Sequence, residues 1–212
     1  MIEKPRIFGA AYSVYVRIVR LALLEKGVGY DHTPVDIFAA EGPPASYRLR
    51  HPFDRIPAFE HAGFALYETG AITRYIDEAF EGPALQPTDV RERARCNQLV
   101  SMADNYVYPQ LVWGVYVERV SKPRRGEATN ESKFMTALAA AEICLKAMAD
   151  IKGDAPWLAG SRLTLADLYA APMFAYFLKA EEGRDMLRKQ RSLAVWWSKM
   201  AERPSMRASD PD

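Results

Sequence analysis

The stretch from Arg55 to Ile72 constrains the fold of this chain more than any other part of the sequence. It opens on Arg55-Ile56-Pro57-Ala58-Phe59, in which a proline stands at the mouth of an apolar strand. Because proline has no N–H and belongs at the start or edge of a strand, the backbone before Pro57 is free to bind something other than the sheet. A second apolar strand then runs into Glu68-Thr69-Gly70, where a helix is predicted to begin. Orphan N–H groups and the helix dipole favour an anion there, so the two pieces together predict a binding site for a small zwitterionic peptide.

The first part of the chain predicts an α/β domain. A short strand at Arg6–Phe8 is followed by a helix that opens at Ser13 and ends at Lys26-Gly27, and then by a strand within Tyr30–Val35. This strand–helix–strand order favours a parallel pair with a right-handed crossover. We further expect a loop with one or two helical turns over Phe38–Arg50, a hairpin of Pro57–Glu60 and Phe64–Tyr67, and a helix from Thr69 to about Phe80.

The pattern changes after the turn-rich segment Glu81–Thr88, because no alternating β pattern follows it. We expect one long helix from Asp89 to about Val120, with a bend at Pro109 or Gly114. Further helices are expected over Asn130–Ile151 and Thr164–Leu178, with one or two more within Asp185–Glu202. The tail from Arg203 is expected to be extended. The simplest architecture is an α/β domain over residues 1–82, a linker over 83–90 and an all-α domain over 91–212.

The composition excludes several classes of function. The net charge of +1 on 212 residues, with no polybasic segment, argues against nucleic-acid binding. The apolar runs are shorter than the about 20 residues of a membrane span, and the segment Met1–Pro5 has no signal-peptide core. His32, His51 and His61 share no ligand spacing and are interpreted as structural or solvated, so no metal is expected. We predict a cytoplasmic protein without a membrane or nucleic-acid partner.

Two cysteines and one capping sequence are interpreted as structural. Cys96 and Cys144 are too far apart for a disulfide framework, and the first strand–helix turn holds no Cys-x-x-Cys for dithiol redox chemistry. Thr164 and Asp167 have the spacing of a capping box and are expected to fix the start of a buried helix.

Ser13 has two interpretations at the start of the first helix. As an N-cap it stabilises the helix by about 1 kcal/mol. Alternatively its hydroxyl, aided by the helix dipole, donates a hydrogen bond to a bound anion. Tyr12 and Tyr15 flank Ser13, and each phenol either donates a hydrogen bond to the same anion or serves in aromatic packing. Arg17 either adds a positive charge near the site or is a solvated or internally paired surface arginine. No Gly-x-Ser-x-Gly elbow surrounds Ser13, which argues against a serine hydrolase.

Taken in order, these pieces resemble the cytosolic glutathione S-transferases, best the serine-type phi and theta classes with their bacterial relatives. The resemblance covers the whole chain. It rests on Phe8-Gly9, Ser13, Arg17, Val19, Glu25-Lys26-Gly27, His51-Pro52-Phe53, Ile56-Pro57-Ala58, Leu66–Ile72, Gly160, Thr164, Ala166-Asp167 and Arg203-Pro204-Ser205. It implies a thioredoxin-like N-terminal domain, an all-helical C-terminal domain and a homodimer.

The resemblance also implies a role for each residue of the site. Pro57 would be cis, and the backbone of Ile56 would pair with the cysteinyl backbone of glutathione. Glu68 and Thr69 would hold the γ-glutamyl amine and carboxylate, with Thr69 replacing the usual serine. Ser13 would donate a hydrogen bond to the glutathione sulfur.

The implied chemistry is activation of the glutathione thiol. A free thiol has a pKa near 8.5, and lowering it by about two units needs about 2.7 kcal/mol of extra thiolate stabilisation. A hydroxyl donor and a helix N-terminus can each supply on the order of 1–2 kcal/mol. Glutathione is then a co-substrate that attacks a small hydrophobic electrophile. We expect the electrophile pocket to be lined by aromatic residues that border the cleft in the family, namely Tyr12, Phe38, Tyr108, Trp113 and Tyr116. The alternative for each of them is packing in the core or at a dimer interface.

The chain departs from the family pattern at the glycyl end of glutathione. Asp54 stands where the family often has glycine, Arg55 stands where it often has glutamine, and Phe38–Pro43 replaces the usual basic pair. Arg55 is interpreted either as a charged replacement or as the ion-pair partner of Asp54. Our leading hypothesis is therefore a glutathione transferase. The alternatives are a glutathione-dependent peroxidase or isomerase on the same site and a non-catalytic binding or regulatory protein of the same fold.

Overall fold

The computed structural model describes residues 3–211 and divides into two compact units. The first unit runs to Leu85 and takes up the tail from Pro204, and the second runs from Gln86 to Arg203. The domain boundaries given above stay a prediction, and their ends at residues 1, 2 and 212 lie outside the described residues. The two-part fold is confirmed, with strands and helices in the first unit and helices in the second.

The first unit contains a four-stranded mixed sheet with helices. Its elements are β1 (Arg6–Phe8), α1 (Val14–Glu25), β2 (Asp31–Thr33), a 3-10 turn (Ala45–Leu49), β3 (Ala58–His61), β4 (Phe64–Tyr67) and α2 (Thr69–Ala79). The strand order is β2-β1-β3-β4, with β1 parallel to β2 and antiparallel to β3, and with β4 antiparallel to β3. The predicted parallel pair and hairpin are confirmed.

Helix α1 forms where the sequence pattern predicts it. Its apolar positions Val14, Ile18 and Leu21 are buried, as expected for one face of an amphipathic helix. Ser13 is the N-cap, and its Oγ accepts from the Val16 N–H at 3.4 Å. Gly27 follows the helix with a φ of 72°, a backbone conformation that glycine adopts without cost.

The tail from Arg203 was expected to be extended, and this expectation is wrong. Residues Pro204–Ala208 form a short helix, α9, within the first unit. Pro204 begins this helix, and proline is well tolerated at the first position of a helix, where an N–H has no intrahelical partner.

Two arginines of α1 bind this tail through its carbonyl groups. Arg17 donates to the Met206 carbonyl at 2.9 Å and to Ser209 Oγ at 3.2 Å, and Arg20 donates to the Ala208 and Ser209 carbonyls at 3.0 Å each. Arg17 is thus buried and internally paired. That resolves the alternatives given for it above.

The second unit is helical throughout its regular elements. They are α3 (Val90–Met102), a π-helix (Ala103–Ser121), α4 (Lys122–Arg124), α5 (Glu131–Lys152), α6 (Leu165–Phe177), α7 (Glu181–Lys189) and α8 (Arg191–Ala201). The long helix predicted from Asp89 is present, but it continues past Met102 with wider turns. Pro109 lies inside the wide part, where its missing N–H removes one helical hydrogen bond. Across the described residues, we find no helix with the length and apolar character that crossing a membrane requires.

Asp167 is a buried carboxylate of the second unit that has several hydrogen-bond donors. Asp167 accepts from the Leu158 and Thr164 N–H groups at 2.9 and 2.8 Å, from the Thr164 hydroxyl at 3.0 Å, and from Trp196 Nε1 at 2.9 Å. The structural interpretation of Thr164 and Asp167 is confirmed, because the carboxylate joins the start of α6 to α8.

Glu118 is a second buried carboxylate, held between the π-helix and α5. It binds Lys122 at 2.7 Å, Lys133 at 2.9 Å and the Asn130 N–H at 3.0 Å. Burial alone would raise the pKa of Glu118, but these partners outweigh it and lower that pKa to about 2. The carboxylate is therefore a structural anchor.

Candidate functional site

The sheet register brings the ends of four strands together at one edge of the first unit. Phe8 pairs with Thr33 on one side and with Ala58 on the other, and Ala58 also pairs with Tyr67. The segments that leave or enter the sheet beside this row therefore share one edge. They carry the site residues predicted from the sequence, with Ser13 after β1, Ile56 and Pro57 before β3, and Glu68 and Thr69 after β4.

Gly9 allows two of these segments to approach each other closely. Its φ is +153°, and a Cβ added there would lie 2.4 Å from Val16 Cγ2 and 3.1 Å from Ile56 Cβ. Any side chain at this position would collide with the first turns of α1 or with Ile56. The glycine therefore lets the helix that begins at Ser13 pack beside the Ile56–Pro57 bend.

The backbone of Ile56 is left open at this edge. The Ile56–Pro57 bond is cis, as the resemblance implies. Within residues 3–211 neither the N–H nor the carbonyl of Ile56 makes a hydrogen bond. Ladder pairing starts only at Ala58, so the backbone that was predicted to be free is unpaired. We refer to Ile56, Glu68 and Thr69 together as the cradle.

Glu68 and Thr69 form the second part of the cradle. Glu68 has a φ of 69° and a ψ of 113°, a region that non-glycine residues rarely adopt and that costs on the order of 1–3 kcal/mol. Among the described residues, the Glu68 carboxylate and the Thr69 hydroxyl have no hydrogen-bond partner, and the N–H groups of Thr69 and Gly70 are also unpaired. An acceptor for an ammonium group and donors for a carboxylate thus lie side by side at the start of α2.

Ser13 caps α1 and retains a hydroxyl proton for a further hydrogen bond. Its Oγ accepts the capping bond from Val16, which uses a lone pair and leaves the hydroxyl proton available. No protein acceptor for that proton is found within the described part of the chain. The hydroxyl can therefore cap α1 and donate to an anion at the same time.

The phenol of Tyr12 is already committed. It donates to Asp36 at 2.7 Å, and Asp36 also accepts from the Phe38 N–H at 2.9 Å. Burial and then the hydrogen bond and negative charge of Asp36 raise the pKa of Tyr12, while the phenol lowers the pKa of Asp36. Ser13 is therefore better suited than Tyr12 to stabilise a thiolate. Asp36 carried no signal in the sequence that singled it out.

Arg55 is available for an anion. Asp54 pairs with Arg48 at 3.1 Å, so the alternative in which Arg55 pairs with Asp54 is wrong. The Arg55 carbonyl accepts from the Tyr47 hydroxyl at 2.7 Å, which fixes the backbone, while the exposed guanidinium has no partner among residues 3–211.

The aromatic residues predicted for the electrophile pocket are divided between the units. Tyr12 and Phe38 lie in the first unit, with Phe38 64% exposed. Tyr108 and Trp113 lie on the π-helix of the second unit, and Trp113 is exposed. Their joint role stays a prediction. Cys96 and Cys144 are buried free thiols, and no group of His, Cys, Asp or Glu in the described residues has the arrangement of a metal site.

His51 is a residue near the cradle whose place the sequence did not reveal. The residue is 2% exposed, and its ring lies 4.9 Å from the ring of Tyr67, the residue before Glu68. Its Nδ1 is buried without a hydrogen-bond partner among the described residues. Burial lowers the pKa of His51, with Glu68 opposing this effect and Arg55 adding to it.

Comparison with known proteins gives consistent similarities over the whole chain. Residues 7–84 match the family described as "Glutathione S-transferase, N-terminal domain", and residues 107–204 match "Glutathione S-transferase, C-terminal domain". Glutathione S-transferase F6 of Arabidopsis thaliana is 30% identical over 204 residues, which cover 94% of this chain and 96% of that protein.

Two solved structures illustrate the similarity of fold. Glutathione transferase F2 from Populus trichocarpa has a TM-score of 0.88 at 24% identity, with 97% of this chain and 96% of that chain covered. A glutathione S-transferase-I structure described as bound with lactoylglutathione has a TM-score of 0.87 at 23% identity, with 97% and 98% covered.

Proposed function

This chain belongs to the glutathione S-transferase family, and we propose that it conjugates the thiolate of glutathione to small hydrophobic electrophiles. The observation that carries the proposal is a set of polar groups at one sheet edge that have no partner within residues 3–211. They are the backbone of Ile56, the carboxylate of Glu68 and the hydroxyl and N–H of Thr69. The N–H groups at a helix start and a backbone that leaves the sheet need a side chain, water or a ligand as partner, so this cluster is suited to a polar ligand.

The cradle matches the polar groups of glutathione in kind. The Ile56 backbone would bind the cysteinyl N–H and carbonyl as a short strand pair. The Glu68 carboxylate would accept from the γ-glutamyl ammonium, and the N-terminus of α2 with the Thr69 hydroxyl would bind the γ-glutamyl carboxylate. The unpaired guanidinium of Arg55 would bind the glycyl carboxylate in place of the basic pair that the loop at Phe38–Pro43 lacks.

Ser13 would then donate its remaining proton to the sulfur. The hydroxyl and the N-terminus of α1 stabilise the thiolate by on the order of 1–2 kcal/mol each, which lowers the thiol pKa by about two units. The thiolate attacks an electrophile held beside it, and positioning the two reactants supplies much of the rate. No covalent intermediate with the enzyme is needed.

Several finer features belong to the same proposal. We assign the chain to the serine-type group within the family, because Ser13 is free to donate and Tyr12 is not. Tyr12, Phe38, Tyr108 and Trp113 are proposed for the electrophile pocket. A cytoplasmic homodimer with a role in detoxification is the setting that we expect.

An aryl halide assay with glutathione tests the proposal. We expect conjugation by the unaltered protein, at least about tenfold lower turnover in Ser13→Ala, and near-normal turnover in Ser13→Thr, which keeps the hydroxyl. Tyr12→Phe is the matched control, since it keeps the aromatic ring proposed for the electrophile pocket and removes only the phenol, which is bound to Asp36. Unchanged turnover in Ser13→Ala would remove Ser13 from the mechanism. Peroxide reduction without any conjugation would overturn the transferase assignment.

A further inference from the structure

His51 lies near the sheet edge that is proposed to bind glutathione. Its ring packs at 4.9 Å on Tyr67, whose neighbour in the chain is Glu68, and at 6.3 Å edge-on to Phe53. It also begins the loop that leads through Asp54 and Arg55 to the Ile56–Pro57 bend. His51 is therefore packed against the residue that precedes Glu68, and it lies five positions before Ile56 in the chain.

The polar atoms of this ring are not used by the fold. Nδ1 is buried and has no hydrogen-bond partner among residues 3–211, which is unusual for a buried imidazole nitrogen. The other two histidines contrast with it, because His32 Nε2 lies 2.8 Å from the Gly9 carbonyl and His61 Nδ1 lies 2.8 Å from the Tyr75 hydroxyl. Both have structural partners, whereas within residues 3–211 His51 has none.

The charged groups that face His51 are Glu68, Asp54 and Arg55. Asp54 is neutralised by its ion pair with Arg48, so of these two carboxylates Glu68 is the one without an ion-pair partner in the described part of the chain. A neutral ring leaves that carboxylate to a ligand. A protonated His51 ring would be a cation that competes with the ligand's ammonium group for the Glu68 carboxylate.

We propose that His51 is a positioning residue that controls the availability of Glu68 to the ammonium group of glutathione. This inference rests on the proposed function. The neutral imidazole keeps the Glu68 carboxylate open for the γ-glutamyl ammonium. The protonated imidazolium competes with that ammonium for the same negative charge, so acid weakens glutathione binding. By reciprocity, bound ligand makes His51 harder to protonate.

The sign of the effect follows from the position of the pKa. Burial keeps the pKa of His51 below its usual value near 6.5, so the ring is neutral at neutral pH and binding is strongest there. Binding weakens as the pH falls through that lowered pKa.

Calorimetry with S-methylglutathione tests this coupling, because the methylated sulfur cannot ionise and so removes thiol titration. For the unaltered protein we expect the dissociation constant to rise at least about fivefold between about pH 7.5 and about pH 5. His51→Asn should bind with little pH dependence across the same range. His61→Asn, the matched control at a histidine with its own partner, should keep the full dependence.

The titration of the ring provides a second measurement that needs no variant at His51. The chain has three histidines, so the loss of one imidazole NMR signal in His32→Asn and one in His61→Asn assigns the third to His51. We expect saturating S-methylglutathione to shift the His51 titration to lower pH and to leave that of His61 unchanged.

The outcomes separate the two proposals. Tight binding at every pH with an unshifted His51 titration would overturn the role of His51 alone. Absence of binding at neutral pH by the unaltered protein would overturn the proposed function and the role of His51 together.

Discussion

The amino ends of α2 and α6 carry the same kinds of groups and use them in opposite ways. At α2, Thr69 brings a hydroxyl and Glu68 a carboxylate, and neither has a hydrogen-bond partner in the described residues. At α6, the hydroxyl of Thr164 donates to the carboxylate of Asp167, which also accepts from three N–H groups. The first pair is open and the second is saturated.

This difference separates a binding site from a scaffold more clearly than residue type does. A buried carboxylate with four donors stabilises the fold, and removing it leaves those donors unsatisfied. A carboxylate held beside a rare backbone conformation without partners adds little to the fold. The structure therefore predicts that changes at α6 affect stability and changes at α2 affect binding.

The largest effect is expected for Asp167→Ala. The substitution strands the Leu158 N–H, the Trp196 indole N–H and the Thr164 N–H in the interior, so we expect a loss of about 3–5 kcal/mol in unfolding free energy. Urea denaturation measures it. Asp150→Ala, which removes an exposed pair with Lys146, should cost less than about 0.5 kcal/mol. Similar costs for the two variants would contradict the scaffold role of α6.

Glu118 extends the comparison to pH. Its pKa of about 2 lies below the ordinary value for glutamate, so its contribution to stability is full above about pH 4.5 and is lost as the pH falls toward 2. We expect Glu118→Gln to lose about 3 kcal/mol at neutral pH and to remove most of the stability change in that acid range.

The matched control for Glu118 is Glu131→Gln, since Glu131 forms an exposed pair with Arg119. It should leave the acid transition in place and cost less than about 0.5 kcal/mol. Unfolding titrations in urea at several pH values give both numbers. An unchanged acid transition in Glu118→Gln would show that another group controls it.

Glu68→Gln is the counterpart at α2. The substitution removes a charge-assisted hydrogen bond to the glutathione ammonium worth about 2 kcal/mol, so we expect glutathione to bind about 30-fold more weakly at neutral pH. The unfolding free energy should change by less than about 0.5 kcal/mol, because the carboxylate has no partner to lose among the residues that the structure describes. A large loss of unfolding free energy in Glu68→Gln with normal glutathione binding would contradict the assignment of the α2 start to binding.

Arg55→Gln is expected to have the smallest effect. Its guanidinium is exposed and unpaired within residues 3–211, so its attraction for the glycyl carboxylate is partly screened. We expect about fivefold weaker binding of glutathione, equivalent to about 1 kcal/mol, and no change for an analogue with an amidated glycine. Equal losses of affinity for glutathione and for the amidated analogue would show that Arg55 does not act through the glycyl carboxylate.

The sequence predicted those features that depend on local pattern. Ser13 as an N-cap, the break of the strand at Pro57 and the helix start at Thr69 each follow from the chemistry of neighbouring residues. The bond between Tyr12 and Asp36, the burial of His51 against Tyr67 and the bond from Trp196 to Asp167 join residues distant in sequence. No local rule reports such contacts.

Two further differences have physical reasons of their own. The conformation of Glu68, with φ of 69°, is imposed by the turn from β4 into α2 and contradicts the usual preference of glutamate. The helix at Pro204–Ala208 forms because Arg17 and Arg20 bind its carbonyl groups, so tertiary contacts determine its structure. Local propensity is a weak guide in both cases.

The central claim is that the Ser13 hydroxyl keeps bound glutathione ionised. The most direct test follows the ultraviolet absorbance of the thiolate as the complex is titrated with base. We predict half-ionisation about two pH units below the value near 8.5 of free glutathione, and a rise of about one unit in Ser13→Ala. Titration of the bound thiol at the same pH in the unaltered protein and in Ser13→Ala would contradict the account.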